Sequence, residues 1–250
     1  MTVPGEIRVI PLTGLPELEE GDDLAALLVE AAKRSGGLEE GDVVVVAQKA
    51  VSKVEGRVVR LDEVEPSARA VELAGPDGDP RHVEVILGES VEVVRSRPPL
   101  VIGRTRHGFV CASAGVDASN AKGPGTVILL PLDPDGSAAT LRARLAELTG
   151  IAPGVIVTDS FGRAWRQGTT DVALGVAGIV ALRDLRGIRD GRGYELQSTM
   201  VAIADEIAGA AELAMGKTRG VPAAIVRGLD ARGDGHGGDL VMPPGRDLFR

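Results

Sequence analysis

Two stretches of this chain end an apolar run in oxygen-bearing side chains. In "VCASAGVDASN" the run closes on Asp117 and Asn120, and in "GVIVTDSFGRAWRQGTTD" it closes on Thr158, Asp159 and Ser160. A hard divalent cation takes oxygen ligands held on rigid elements. Two such aspartates suit Mg²⁺ or Mn²⁺, and an ion there would bridge the phosphate oxygens of a nucleotide. The amide of Asn120 both donates and accepts, so it suits a phosphate or a base edge where a carboxylate would repel. Taken alone, either aspartate is better read as a turn residue making local hydrogen bonds. The cation reading rests on the pair and its basic neighbours.

Those neighbours stand out because the chain is acidic. Its net charge is −8 over 250 residues, so an anionic substrate must be met by local cations against the overall field. After Asp159 come Arg163 and Arg166, bidentate donors for phosphate or carboxylate, around the lone Trp165 and ahead of a Gly-Thr-Thr turn. "AQKAVSKVEGR" adds Gln48, Lys49, Ser52 and Lys53 where an apolar run turns polar. On an extended strand Lys49 and Lys53 would share a face, as a phosphate-binding pair or as a solvated strand end. Lysine is otherwise found only at 33, 122 and 217, and Asn120 is the sole asparagine, so these residues stand where Arg or Asp would not serve.

Other patterns carry less. Gly233-x-Gly235-x-x-Gly238 has the spacing of a dinucleotide fingerprint but lacks the following helix that the mechanism needs. "AMGKT" ends a helical pattern instead of opening one, so Gly216 reads as a helix stop and Lys217 either as a cation at the negative helix end or as one that reaches a phosphate from a loop. His107 and the single Cys111 could face one way on a strand, but no third group orients them, and a lone cysteine reads as packing. One cysteine forbids an internal disulfide, the acidic balance argues against nucleic acid, and no apolar run is long enough for a membrane helix. The expectation is a cytoplasmic protein.

The elements that must hold these residues read as follows. "IRVIPL", "DVVVVAQKAVSK", "GRVVRL", "TVILLPLD", "GVIVTDS", "DVALGVAGIVAL" and "PAAIVRGL" read as strands, with "GRVVRL" beside the strand before it. "LVIGRTRHGFVCASAG" reads as two strands around a turn. "DDLAALLVEAAKRSGG", "SARAVELA", "RHVEVILGESVEVVRS", "DGSAATLRARLAELTG" (capped by Asp135 or Ser137) and "STMVAIADEIAGAAELAMG" read as helices. Without a regular strand–helix alternation, the fold class is α+β, with mixed sheets and flanking helices. Residues 231–250 have the composition of a linker.

"PLTGLPEL", "VVVVAQKAVSKVEGR", "ASAGVDASN", "VIVTDSFGRAWRQGTTDVALG" and "ADEIAGAAELAMGK" occur in the order of the coenzyme F-420-0:γ-glutamyl ligases, and the resemblance runs from Glu6 to Gly228. It implies an enzyme, of the bacterial stand-alone or ligase-domain form, that adds L-glutamate to the deazaflavin coenzyme F-420-0. GTP would drive the reaction through an acyl phosphate, giving GDP and phosphate, with Mg²⁺ or Mn²⁺ and also K⁺ as cofactors. It also implies a two-lobed, intertwined homodimer. Carried over by position, Leu15, Pro16, Glu17, Leu18 and Lys53 look like GTP contacts. Gln48 stands where relatives can have a GTP-contacting serine. Asp117 and Asp159 look like metal ligands, with Ser160 at a second metal, Asn120 on GTP, and Gly216 and Lys217 near the nucleotide. Some relatives use Gln or Glu at the Lys217 position near the metal, a role closed to a protonated lysine. Arg163 and Arg166 are assigned to the anionic deazaflavin or the glutamate. By the resemblance, residues 1–230 form the ligase domain and the remainder resembles the start of a linker to a flavin domain. Rival readings are a ligase or kinase acting on another carboxylate, and a non-catalytic deazaflavin-binding module.

Overall fold

A computed structural model describes residues 5–248. In chain order the elements are β1 (Arg8–Pro11), α1 (Leu24–Lys33), β2 (Val43–Ala47), α2 (Gln48–Val54), β3 (Val58–Arg60), α3 (Ala68–Ala74), α4 (Pro80–Glu89), β4 (Ser90–Arg97), β5 (Leu100–Thr105) and β6 (Val110–Ala112). They continue with β7 (Thr126–Ile128), α5 (Pro134–Thr149), β8 (Gly154–Arg163), β9 (Arg166–Ala177), β10 (Arg183–Asp184), β11 (Met200–Val201), α6 (Ile203–Met215) and β12 (Ala223–Arg227). The class is α+β, as the sequence indicates.

The main sheet has the order β1-β12-β2-β8-β9, with β2 and β8 parallel and every other pair antiparallel. Side chains alternate across a strand, so the run Val43–Val46 feeds two cores. Val44 and Val46 pack with Val155 and Val157 beneath α1 and α5. Val43 and Val45 pack with Ile156 against α6. Each helix supplies one apolar stripe: Leu24, Ala25, Leu28, Ala31 and Ala32 from α1, and Ala204, Ile207, Ala208, Ala211 and Met215 from α6. Burying a leucine such as Leu28 or Leu145 contributes about 1.5–3 kcal/mol. A third cluster joins Leu61, Val83, Ile86, Val101, Val116 and Val127, away from the main sheet.

Several expectations need correction. "RHVEVILGESVEVVRS" is half helix: α4 ends at Glu89, and Ser90–Arg97 forms β4 against β5. Val91, Val93 and Val94 are β-branched and favour a strand once a partner lies alongside. The polar end of "DVVVVAQKAVSK" is the helix α2, so Lys49 and Lys53 share a face as an i,i+4 pair on a helix. β3 pairs with β7 and not with β2, and β7 takes up only the start of "TVILLPLD". The cap of α5 is Asp133, whose carboxylate accepts from Gly136 N–H, with Pro134 opening the helix. "STMVAIADEIAGAAELAMG" begins as β11, and α6 starts at Ile203.

The segment with linker composition is docked at its start. Ala231 is buried, Gly233 and Gly235 donate to Gly178 and Ile179 carbonyls, and Gly237 donates to Asp135 Oδ1 at 2.7 Å. A Cβ on Gly233 or Gly235 would collide with Val180 or Ala181, so these glycines serve close backbone packing. Phe249 and Arg250 lie outside the described residues.

Candidate active site

β2 stops at Ala47, opposite Thr158, while β8 runs on for five more residues paired only with β9. Both faces of β8 therefore open beyond the end of β2. A cavity of about 640 Å³ lies there. Ligands of open α/β sheets are met in this position, beyond the carboxyl ends of the strands.

Alternation divides the cavity's wall. Asp159 follows the face of Val155 and Val157, toward α2, while Thr158 and Ser160 follow Ile156, toward α6. On the α2 side Lys49 Nζ lies 2.6 Å from Asp117 Oδ2 and 2.5 Å from Ser119 Oγ. Burial alone would raise the Asp117 carboxyl, but hydrogen bonds from Lys49 and Ser119 outweigh it and hold it below the usual range. At Asp159 desolvation prevails. Desolvation pushes it up to about 7, against the Ser160 N–H and the field of Lys49, with Asp117 and Asp171 reinforcing the rise. On the α6 side Asp171 is buried and accepts from Ser160 Oγ at 2.6 Å. Burial raises Asp171, and burial followed by the Asp171 charge raises Glu212.

Loops complete the enclosure. Leu15, Pro16, Glu17 and Leu18 line one side, and Lys53 is paired with Glu17. Lys122 ties the loop around Asn120 to Glu19 at 2.5 Å. Asn120 itself sits at φ 58°, a left-handed conformation that asparagine tolerates better than most residues. This gives the lone asparagine a backbone reason in addition to its amide. Ser113, Ala114 and Gly115 are three consecutive left-handed residues two positions ahead of Asp117, a strained turn that aims its carboxylate. Gly216 ends α6 at φ 61° and, with Lys217, reaches the cavity.

Of the residues singled out in the sequence, Leu15, Pro16, Glu17, Leu18, Gln48, Lys53, Asn120, Asp159, Ser160, Gly216 and Lys217 line this one cavity. Asp117 stands behind Lys49. Arg163 and Arg166 do not line it. They face each other in register across a two-residue turn, Ala164–Trp165, at the tip of the β8–β9 hairpin, so "GRAWRQGTTD" is hairpin and not a Gly-Thr-Thr loop. Trp165, at φ 56°, is 82% exposed.

Among the described residues no three His, Cys, Asp or Glu side chains converge as a ready metal cage. The donor set instead fits a cation held by one or two carboxylates, with phosphate oxygens and water completing the shell, which is the habit of Mg²⁺. A desolvated Asp159 with a raised carboxyl fits a cationic partner. Gln48 is fully buried, and among the described residues its Nε2 has no hydrogen-bond partner, a donor suited to a nucleotide's acceptor.

Residues 14–228 match the family described as F420-0:Gamma-glutamyl ligase. The chain belongs to this family. It is 48% identical over 251 residues to the coenzyme F420:L-glutamate ligase of Methanopyrus kandleri, covering 98% of each chain. It is 44% identical over 250 residues to the enzyme of that name from Methanothermobacter thermautotrophicus, covering 98% of this chain and 99% of the other. The corresponding Archaeoglobus fulgidus enzyme is 44% identical over 246 residues, covering 98% and 96%. These relatives are archaeal. The chain is thus an enzyme of the ligase class.

Sequence reasoning missed two acids of the ligase's cavity. Asp171 closes the polar run "RQGTTD", and Glu212 lies inside a helix otherwise read for its apolar stripe. Only the strand register, which sets Asp171 opposite Ser160, reveals the first. The His107–Cys111 pairing does not form: His107 lies in the turn between β5 and β6 and bonds the Leu132 carbonyl at 3.0 Å. Burial, with Asp159 nearby, pushes the Cys111 thiol up to about 12. The native ligase is accordingly expected to resist iodoacetamide at pH 8 and to alkylate fully only after denaturation, as read by mass spectrometry.

Proposed function

We propose that the ligase joins L-glutamate to coenzyme F-420-0 at the expense of GTP, with Mg²⁺ or Mn²⁺, and K⁺, as cofactors. The observation that carries this reading is a single cavity lined by Lys53, Asn120 and Gln48, whose Nε2 has no partner among the described residues, together with Asp159 and Ser160. These are the donors a triphosphate needs and the oxygens its cation needs. The family's description supports F-420-0 as the acceptor, and the relatives' activity as coenzyme F420:L-glutamate ligases supports the amino acid.

In the proposed reaction the F-420-0 carboxylate oxygen attacks the γ-phosphorus, the bond to the β-bridging oxygen breaks, and GDP leaves. The amine of glutamate then attacks the acyl phosphate carbonyl, phosphate departs, and the amine gives up a proton as the amide forms. A bound divalent ion would supply charge neutralisation at the phosphates. Asp117 and Asp159 would hold it, with Ser160 at a second ion, while Lys53, Gln48, Asn120 and the Leu15–Leu18 loop would position GTP. Gly216 and Lys217 belong to the nucleotide's surroundings. Arg163 and Arg166, roughly 10 Å along the strand from Ser160, would meet the anionic deazaflavin or glutamate. The two-lobed homodimer, the cytoplasmic location and the ligase domain of residues 1–230 belong to the same reading.

Incubation with GTP, Mg²⁺, F-420-0 and glutamate should yield GDP, phosphate and glutamylated product by mass spectrometry. GTP turnover only with another carboxylate, or none with tight deazaflavin binding, overturns it. Asn120→Asp keeps a residue that tolerates the left-handed backbone but sets a charge beside the phosphates. It is expected to raise the KM for GTP about 10- to 100-fold, or ~1.4–2.8 kcal/mol. Steady-state kinetics with GTP varied at saturating F-420-0 would check this.

A further inference from the structure

Ser160 and Asp171 are directly opposed on β8 and β9. Ser160 Oγ donates to Asp171 Oδ1 at 2.6 Å. A hydroxyl has one proton, and this contact commits it. The lone pairs of Ser160 are thereby left toward the cavity, where the side chain can only accept. Thr158 Oγ1 donates to the Val172 carbonyl at 2.8 Å and, at 3.2 Å, to Asp171 Oδ2, so Ser160 has the other carboxylate oxygen, Oδ1, to itself.

The strands are built to hold this pair. The register shifts between Val157 and Thr158, so that Val157 faces Gly175 while Thr158 faces Ala173. The bulge leaves the Ala173 N–H off the ladder, and Asp205 Oδ1 on α6 accepts it at 2.9 Å. Thr158, Ser160 and Asp171 consequently share the α6 face of the hairpin, and Asp171 is 4% exposed.

We propose that Asp171 is a positioning residue of the ligase, which orients the Ser160 hydroxyl as a neutral oxygen ligand for a divalent cation at the nucleotide phosphates. The proposal rests on the metal-dependent reading of this site and adds a residue to it. Partners that orient a metal ligand typically alter metal affinity about 10- to 100-fold when removed.

The test is Mn²⁺ binding followed by electron paramagnetic resonance in the presence of GDP, for the parent, Asp171→Ala, Asp171→Asn, Ser160→Ala and the Ser160→Ala/Asp171→Ala double variant. Asp171→Ala is expected to weaken Mn²⁺ about 10- to 100-fold. Asp171→Asn, which keeps the shape and one acceptor oxygen, should lose less and guards against misfolding. The double variant should bind Mn²⁺ no worse than Ser160→Ala alone, because Asp171 acts through that hydroxyl. GDP affinity without metal should stay at the parental value. Unchanged Mn²⁺ affinity in Asp171→Ala, or additive losses in the double variant, overturns the role of Asp171 and leaves the metal reading standing. A parent that binds no Mn²⁺ with GDP overturns the metal reading itself, and this proposal with it.

Discussion

Asp159→Asn is expected to lower kcat/KM for ligation by about 10²- to 10³-fold, the scale of losing one group that stabilises developing charge. The amide keeps the shape and the fold, so the loss reads the charge. Asp159, unlike Asp117, has no ion pair among the described residues, and desolvation has pushed it up to about 7. Such a group destabilises the protein on its own and would be balanced by a bound cation. The same substitution is therefore expected to leave the melting temperature without nucleotide and metal equal to or above the parental value, since a desolvated charge is removed. Falling activity beside rising or constant stability is the signature of a functional site. A fall in both would reassign Asp159 to the scaffold.

Arg227→Met should destabilise the fold by about 3–5 kcal/mol, because it strands a buried carboxylate. The Asp42 side chain is fully buried. Arg227 Nε and Nη2 each reach it at 2.8 Å, Nη2 also donates to the Gly37 carbonyl, and Nη1 pairs with Glu39. This fork joins the start of β2 to the end of β12, at the opposite end of the sheet from the cavity. Urea unfolding should show the loss as a lower midpoint, while kcat/KM well below the transition stays within about twofold of the parent, as for a site remote from the chemistry. Adding Asp42→Leu should recover most of the stability, since a packed apolar pair can replace a buried ion pair. No recovery would show that the carboxylate, which also accepts from Glu39 N–H, is needed for the local turn.

What the sequence disclosed depended on how local the governing physics was. The helices α1 and α5 and the buried run Val43–Val46 were legible because each is set by near neighbours. Gln48–Val54 was misread as strand because the switch to helix falls inside a continuous polar–apolar pattern with no capping side chain. Ser90–Arg97 was misread because β5, which claims it, follows only after the turn at Pro98 and Pro99. At the site, residues in distinctive local motifs were visible, including Asp117, Asn120, Asp159 and Ser160. Asp171 was not, because its meaning comes from a partner eleven residues away through strand register. The arginines of "GRAWRQ" looked local to the acids but stand on a hairpin that carries them away.

The order of strands also governs when the sheet can exist. Ile225 of β12 lies between Ile10 of β1 and Val44 of β2, so β1 and β2 are not joined in the sheet until β12, far along the chain, has been synthesised. Contacts of such sequence separation form slowly, and the waiting edges of β1 and β2 are open to wrong partners meanwhile. A ribosome-bound chain halted before Ala223 should thus carry β1 and β2 without the strand that joins them.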